Sequence, residues 1–129
     1  MMRAVFFKEH GGPEKLEYGY QPEPTPGSGE ALVKVHAAAL NRLDIWTRQS
    51  MPGVKISLPH ILGCDIAGEV VKLGHGTSGI TIGKKVIIAP GISCGHCSYC
   101  RTGWDSLCDH YKIIGFQING GYAEYVKAP

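Results

Sequence analysis

The sequence lacks the features of a membrane, secreted or nucleic-acid-binding protein. No run in its 129 residues approaches the roughly 20 apolar residues that a membrane-spanning helix requires. The opening residues, MMRAVFFKEHG, lack the apolar stretch of roughly 7 or more residues of a secretory signal. The formal net charge is only +2, which provides no electrostatic footprint for a nucleic acid or an anionic membrane. We therefore expect a cytoplasmic protein that binds neither.

The sequence also lacks what a disulfide-stabilised scaffold needs. Five cysteines is an odd number, so they cannot all pair, and the cytoplasm disfavours disulfides. Internal repeats and low-complexity tracts are absent. Glycine and proline are abundant instead, with 18 and 8 residues, and their scattered positions are typical of many short strands joined by turns.

Several runs are rich in β-branched and aromatic residues and predict strands: MRAVFFKE, KLEYGY, EALVKVHAAAL, DIAGEVVKLG, KKVIIAP and GYAEYVKAP. A proline-rich segment at 21–30 is short enough to be a loop. In the third run, Leu32 and Lys34 alternate with Val33 and Val35, which favours a central strand. The pattern predicts a mainly β fold, an antiparallel and partly closed β-barrel.

One segment, NRLDIWTRQ, predicts a short helix. Asn41 is a favourable N-cap residue, and Asp44, three residues later, completes a loose capping box. At three- and four-residue spacing, Leu43, Trp46 and Thr47 are predicted to share one face. The barrel is therefore expected to carry one short helix beside its strands.

Four of the five cysteines lie in the stretch CGHCSYCRTGWDSLC, with the spacing C-x2-C-x2-C-x7-C. Thiolates two residues apart on a tight loop can converge on one ion, and zinc prefers four such ligands in a tetrahedron. Gly95 and Gly103 supply the backbone freedom that the turns need. A closed shell leaves no open position for water, so the pattern predicts a structural zinc that contributes folding free energy. The predicted ligands are Cys94, Cys97, Cys100 and Cys108.

An iron–sulfur cluster and disulfides are the alternatives for this stretch. Bacterial ferredoxins also begin C-x2-C-x2-C, but they continue x3-C-P, which this sequence does not. His96 and His110 lie close by and could replace a thiolate, although histidines beside a complete cysteine set are usually not ligands. Structural zinc remains the prediction that the spacing favours.

The cysteine stretch follows a GKKV strand and precedes GGYAEYVKAP, an order that resembles the structural-zinc lobe of the zinc-containing medium-chain alcohol dehydrogenases. MRAVFFKEHGGPEKLEY resembles the opening hairpin of that family, and GEALVKVHAAALNRLDIWTRQS its strand leading into the active-site helix. LPHILGCDIAGEVVKLG resembles the stretch that carries its G-H-E-x-x-G segment. The resemblance implies that residues 1–129 form the GroES-like catalytic domain of an NAD(P)-dependent oxidoreductase, with a zinc lobe at about 91–112.

Three positions depart from the alcohol dehydrogenase pattern. The family binds its catalytic zinc with a Cys at the start of the short helix and a His in the GHE segment, where this chain has Asn41 and Cys64. The hydroxyl residue that passes the alcohol proton is replaced by Leu43, which cannot transfer a proton. Asn is a poor zinc ligand, and the third ligand would lie beyond residue 129. We therefore expect that no catalytic zinc is bound.

NRLD followed by GCDxAG is instead similar to the zinc-free branch, the quinone and enone reductases. This likeness implies that Asn41 and Asp44 line a pocket beside the nicotinamide, where hydrogen-bond donors polarise the carbonyl. A helix cap is an equal alternative for Asn41, and satisfying the first turn of the helix is the alternative for Asp44. Cys64 is expected to be a buried thiol, with a metal ligand partnered by Asp65, or a reactive thiol, as alternatives. Asp65 either holds a buried contact or forms a pocket wall.

The segment GHGTSG at 74–79 matches G-x-G-x-x-G, but a strand-like run follows it and no acidic residue lies about 20 positions later. We interpret it as a turn. No other segment could bind a dinucleotide, so NAD or NADP is expected to require a Rossmann domain absent from these residues, which alone are expected to be inactive. The resemblance implies a small-molecule substrate, an alcohol, aldehyde, quinone or enone, and allows a homodimer of the whole protein.

Three other functions are compatible with the sequence at this point. A zinc-ribbon-like binding module would need a basic surface around the cysteines, yet Arg101 and Lys112 are offset by Asp105 and Asp109. A co-chaperonin-like module would share the barrel, but fold alone does not imply function. The third is a true zinc alcohol dehydrogenase with an altered catalytic metal site.

Overall fold

The chain folds into three β-sheets joined by loops and short helices. The computed structural model describes residues 1–129. The helices are α1 (Arg42–Gln49) and α2 (Ser98–Arg101), with 3₁₀ turns at Pro13–Lys15 and Asp105–Leu107. Every pairing between strands is antiparallel, which confirms the predicted mainly β architecture. The strands are β1 (Met2–Phe7), β2 (Glu17–Gln21), β3 (Ala31–Ala39), β4 (His60–Ile61), β5 (Asp65–Leu73), β6 (Lys85–Ile88), β7 (Gly91–Ile92), β8 (Lys112–Ile113) and β9 (Tyr125–Ala128).

The first sheet has the order β2-β1-β4. The two predicted opening strands pair with each other, with Val5 opposite Tyr18. The short strand β4 joins the other edge of β1, where Phe6 lies opposite Ile61. This pairing brings the segment that precedes Cys64 against the start of the chain. Four side chains form the buried cluster of this sheet: Met2, Ala4, Phe6 and Ile61.

The second sheet has the order β6-β5-β3-β9, so β3 is a central strand as predicted. Val33 pairs with Val70 on one side and with Val126 on the other, and all three are buried. Leu32 is buried as well, so both faces of the strand are covered at this end. The main hydrophobic core consists of Ala31, Val33, Ile66, Val70, Ile88, Ile114, Val126 and Ala128.

The helix α1 begins where the sequence predicts, with Asn41 as its N-cap residue. The backbone N–H of Asn41 donates to Asp44 Oδ2 at 2.8 Å, which is one half of the predicted capping box. This bond satisfies a backbone donor at the start of the helix and fixes the Asp44 carboxylate in the first turn.

The predicted face of α1 is buried only in part, because Thr47 is buried but Trp46 is 48% exposed, and the helix buries Asp44 and Arg48 as well. Polar contacts explain the difference. Arg48 Nη1 donates to the carbonyl of Gly11 at 2.6 Å, and the N–H of Gly11 donates back to the carbonyl of Arg48 at 3.0 Å. The helix therefore docks on the loop after β1 through hydrogen bonds, which hydrophobic periodicity does not reveal.

The remaining segments join the sheets. The segment 74–79 is a turn between β5 and β6, as interpreted from the sequence, and the N–H of Gly74 donates to the carbonyl of Glu30 at 2.8 Å. Strands β7 and β8 form a two-stranded sheet that closes the base of the cysteine lobe. None of the helices has the length and apolar character needed to cross a bilayer.

Candidate metal centre and candidate substrate pocket

Four cysteine sulfurs converge between β7 and β8. Their Sγ atoms all lie within 4.8 Å of one another, in the group Cys94, Cys97, Cys100 and Cys108. The Cys97–Cys100 distance is 3.5 Å and the Cys94–Cys100 distance is 4.0 Å. A tetrahedral ion with Zn–S bonds of about 2.3 Å holds its sulfurs about 3.8 Å apart. All four cysteines are unpaired thiols, so this donor set fits one zinc ion.

Two short helical turns set the spacing of the sulfurs. Cys97 is the N-cap residue of α2, and Cys100 lies one turn later in the same helix. The 3₁₀ turn at Asp105–Leu107 ends at Cys108 and returns this residue to the cluster. Gly95 and Gly103 have φ angles of 78° and 83°, which only glycine adopts easily, so the predicted role of these glycines holds.

Backbone N–H groups point at the sulfurs and stabilise negative charge. The N–H of Cys97 donates to Cys94 Sγ at 3.3 Å, and the N–H of Cys94 donates to Cys108 Sγ at 3.4 Å. Backbone N–H groups of His96 and Cys97 lower the pKa of Cys94 to about 6. Desolvation, together with the Cys97 thiol, raises the pKa of Cys100 to about 11. A bound cation would favour the thiolate form at every ligand.

The neighbouring histidines contribute no side chain to the cluster. The converging group contains cysteines only, which agrees with the expectation that His96 and His110 are not ligands. His110 contributes through its backbone, because its N–H donates to Cys108 Sγ at 3.4 Å.

A second polar cluster lies at the start of α1 and contains the four predicted pocket residues. Asn41 Nδ2 lies 2.8 Å from Asp65 Oδ2, to which it donates, and 3.4 Å from Cys64 Sγ. Asp44 is attached to Asn41 through the backbone bond described above. The chain enters this site from β3 and leaves it along β5, so the pairing of these two strands brings residues 41 and 65 together.

Cys64 is buried, with 8% of its surface exposed, and is unpaired. Burial raises the pKa of its thiol, and the nearby carboxylates of Asp65 and Asp44 raise the pKa further. In the metal-free chain the thiol is therefore neutral near pH 7, whereas a nucleophile requires the thiolate. This environment agrees with the sequence expectation of a buried, reduced side chain.

Tyr122 completes this cluster, and the sequence reasoning did not identify it. Its hydroxyl donates to Asp44 Oδ2 at 2.6 Å and also lies 3.2 Å from the carbonyl oxygen of Ala39. Tyr122 and Asp44 are 78 residues apart in the chain. No local pattern connects positions at that separation, so only the sheet topology could have revealed the contact.

The chain therefore combines antiparallel β-sheets with a four-cysteine lobe and a polar cluster at the start of its helix, an arrangement that the comparisons with known proteins assign to a family. The family model of the alcohol dehydrogenase GroES-like domain matches residues 27–129. The chain belongs to this family, as the N-terminal GroES-like domain of the zinc-containing medium-chain dehydrogenases.

Individual relatives support this assignment. An NAD-dependent alcohol dehydrogenase of Sulfolobus acidocaldarius is 39% identical over 99% of this chain and 38% of its own length. A crystal structure of an NAD-dependent alcohol dehydrogenase matches with a TM-score of 0.94 and 48% identity, over 99% of this chain and 37% of the other. The cobalt- and zinc-bound thermostable alcohol dehydrogenase of Pyrobaculum aerophilum matches with a TM-score of 0.91 and 40% identity, over 99% and 39%. The chain thus spans less than two fifths of the length of these relatives.

Proposed function

We propose that residues 1–129 form the catalytic domain of an NAD(P)-dependent reductase that acts on a quinone or enone without a catalytic zinc. One structural zinc would be held by Cys94, Cys97, Cys100 and Cys108. NAD or NADP would be held by a nucleotide-binding domain in the part of the whole protein that these residues do not cover. When bound, the nicotinamide would supply a hydride to the substrate; negative charge would develop on the carbonyl oxygen, and a proton from solvent would neutralise it.

The orientation of the Asn41 amide carries this proposal. Its Nδ2 group has two hydrogens, and the one directed at Asp65 across 2.8 Å fixes the plane of the amide. The other faces Cys64 Sγ at 3.4 Å, and sulfur is a weak acceptor. A substrate carbonyl oxygen could replace the sulfur as the acceptor, with little hydrogen-bond energy lost. Asn41 would then donate to the oxygen on which charge develops.

The same geometry argues against an ion between Cys64 and Asp65. A zinc bound to both would lie about 2.3 Å from the sulfur and about 2.0–2.2 Å from the carboxylate. The Nδ2 group of Asn41 already lies between these two acceptors and donates to them.

An alcohol dehydrogenase with an altered catalytic metal site is the second candidate. The relatives named above are alcohol dehydrogenases, and one was crystallised with cobalt and zinc. Cys64 and Asp65 would then supply a thiolate and a carboxylate to the ion, with a further ligand from the rest of the whole protein.

Steady-state kinetics of the whole protein distinguish the two candidates. Enones and quinones are assayed with NAD(P)H, and alcohols with NAD(P)⁺, for the unchanged protein and for Asn41→Ser. Serine caps a helix about as well as asparagine but lacks the amide N–H. We expect enone or quinone turnover, with kcat about 10²-fold lower in Asn41→Ser, the loss typical of an oxyanion donor. Alcohol oxidation that increases with added zinc would instead establish the second candidate.

A further inference from the structure

The backbone of Tyr122 is hydrogen-bonded to two other segments of the chain. Its N–H donates to the carbonyl of Leu62 at 2.9 Å, and its carbonyl accepts from the N–H of Val5 at 2.8 Å. The first bond ties it to the segment that leads into Cys64, and the second ties it to β1. The ring also packs against Gly63, where an added Cβ would lie 2.6 Å from the ring.

The Tyr122 hydroxyl acts as a hydrogen-bond donor to Asp44. A hydroxyl has one hydrogen, and the 2.6 Å distance to Asp44 Oδ2 is that of a charge-assisted bond. Burial and the Asp44 carboxylate both raise the pKa of Tyr122, so the phenol keeps its proton. Asp44 itself is only 8% exposed, which makes this bond a main source of stabilisation for its charge.

The same oxygen of Asp44 serves two donors. Oδ2 accepts from the Tyr122 hydroxyl at 2.6 Å and from the backbone N–H of Asn41 at 2.8 Å. The position of the Asn41 backbone thereby depends on a carboxylate that Tyr122 holds. The side chain of Asn41 in turn reaches Asp65 and Cys64.

We propose that Tyr122 is the positioning residue for Asn41. It acts through Asp44, and it fixes the backbone from which the Asn41 amide is directed toward Asp65. Its own hydroxyl donates its single hydrogen to Asp44, so we do not expect it to contact the reacting atoms. The effect of Tyr122 on the orientation of Asn41 is independent of the reaction, and only its kinetic consequence rests on the proposed function.

The test is nuclear magnetic resonance of the zinc-loaded chain with Tyr122→Phe, compared with Tyr125→Phe. Tyr125 is a half-buried tyrosine in the next strand and is the matched control. In Tyr122→Phe we expect the side-chain amide signals of Asn41 to move and its backbone N–H to exchange about tenfold faster, since a charge-assisted bond is lost. Unchanged Asn41 signals and exchange in Tyr122→Phe would overturn the proposal, even if the variant were less stable.

Kinetics of the whole protein separate this proposal from the proposed function. We expect Tyr122→Phe to lower kcat on an enone about tenfold with little change in KM, whereas Tyr125→Phe changes neither. If the Asn41 signals move but neither Tyr122→Phe nor Asn41→Ser affects turnover, the positioning role stands and the proposed function fails. If Asn41→Ser affects turnover while the Asn41 signals are unchanged in Tyr122→Phe, the proposed function stands and the positioning role fails.

Discussion

His60 is the histidine that the fold buries most completely, with 1% of its surface exposed. Its Nε2 lies 3.2 Å from the carbonyl oxygen of Gly115, to which the neutral ring donates, and its ring packs edge-on against Phe7. Burial lowers the pKa of His60 below its ordinary value of 6.5, and the nearby His10 lowers the pKa in the same direction. The folded protein therefore holds this side chain neutral.

Acid should weaken the fold through His60. The unfolded chain binds a proton near pH 6.5 and the folded chain only at lower pH, so the contribution of His60 to stability is complete above pH 6.5 and falls as the pH drops toward the folded pKa. We expect the free energy of unfolding to decrease between pH 6.5 and pH 5, and to decrease less in His60→Gln. Urea denaturation at several pH values measures this. His36→Gln, at an exposed histidine of β3, is the control. If the stability of His60→Gln fell with acid as steeply as that of the unchanged protein, His60 would not be the source of the acid dependence.

The sequence predicted those site residues that can be recognised from residue type and local motif. Asn41 and Cys64 were found because they differ from the alcohol dehydrogenase pattern, and Asp44 and Asp65 because NRLD and GCDxAG resemble the zinc-free branch. Tyr122 was missed because its role depends on a contact across the sheet, and a tyrosine in a strand-like run has no local feature that distinguishes it from a core residue.

At the scale of elements, the pairing of β3 with β5 brings the polar cluster at the start of α1 together. This ladder runs from Ala31 opposite Leu73 to Ala39 opposite Asp65. It ends beside Asn41, which places the Asn41 amide within reach of Asp65. Gly68 is a point of close approach within the ladder, since an added Cβ would lie 2.1 Å from the carbonyl oxygen of Lys34 and 2.8 Å from Val33 Cγ1.

A side chain at Gly68 should separate the two strands. We expect Gly68→Ala to lower the free energy of unfolding by about 2 kcal/mol or more, because the backbone of β3 cannot move away without breaking ladder hydrogen bonds. Gly19→Ala is the control, since Gly19 also lies in a strand and its added Cβ would meet only ordinary contacts at 3.5 Å. We expect the control to change stability by less than about 1 kcal/mol. Equal stabilities of the two variants in denaturant titrations would show that the close approach is relieved elsewhere.

Element positions were predicted well, and their contacts less well. The runs that became β1, β3, β5, β6 and β9 were visible as alternating or β-branched segments, and α1 was visible from its cap. The buried face of α1 was predicted only at Thr47, because this helix docks through Arg48 and the loop at Gly11 rather than through apolar side chains. Neither the irregular register of β3 and β5 nor the close approach at Gly68 is encoded in local residue patterns.

At the scale of the whole molecule, the chain combines a barrel with two polar centres of opposite character. The lobe contains four thiol groups that a single cation would bind. The polar cluster at the start of α1 contains hydrogen-bond donors and carboxylates that bond to one another. The cysteine spacing predicted the first centre because its ligands are close in sequence. The second joins residues from three distant segments, so the sequence predicted Asn41, Asp44, Cys64 and Asp65 but neither Tyr122 nor the contacts among them.

The measurement that tests this account most directly is the zinc-to-chain ratio by elemental analysis, in protein purified without added metal or chelator. We predict one zinc per chain, one zinc per chain in Cys64→Ala, and none in Cys100→Ser, because the ion is bound by the lobe alone. A ratio of two that falls to one in Cys64→Ala would contradict the account, since the pocket would then hold a second ion. A ratio of zero in the unchanged chain would contradict the metal centre itself.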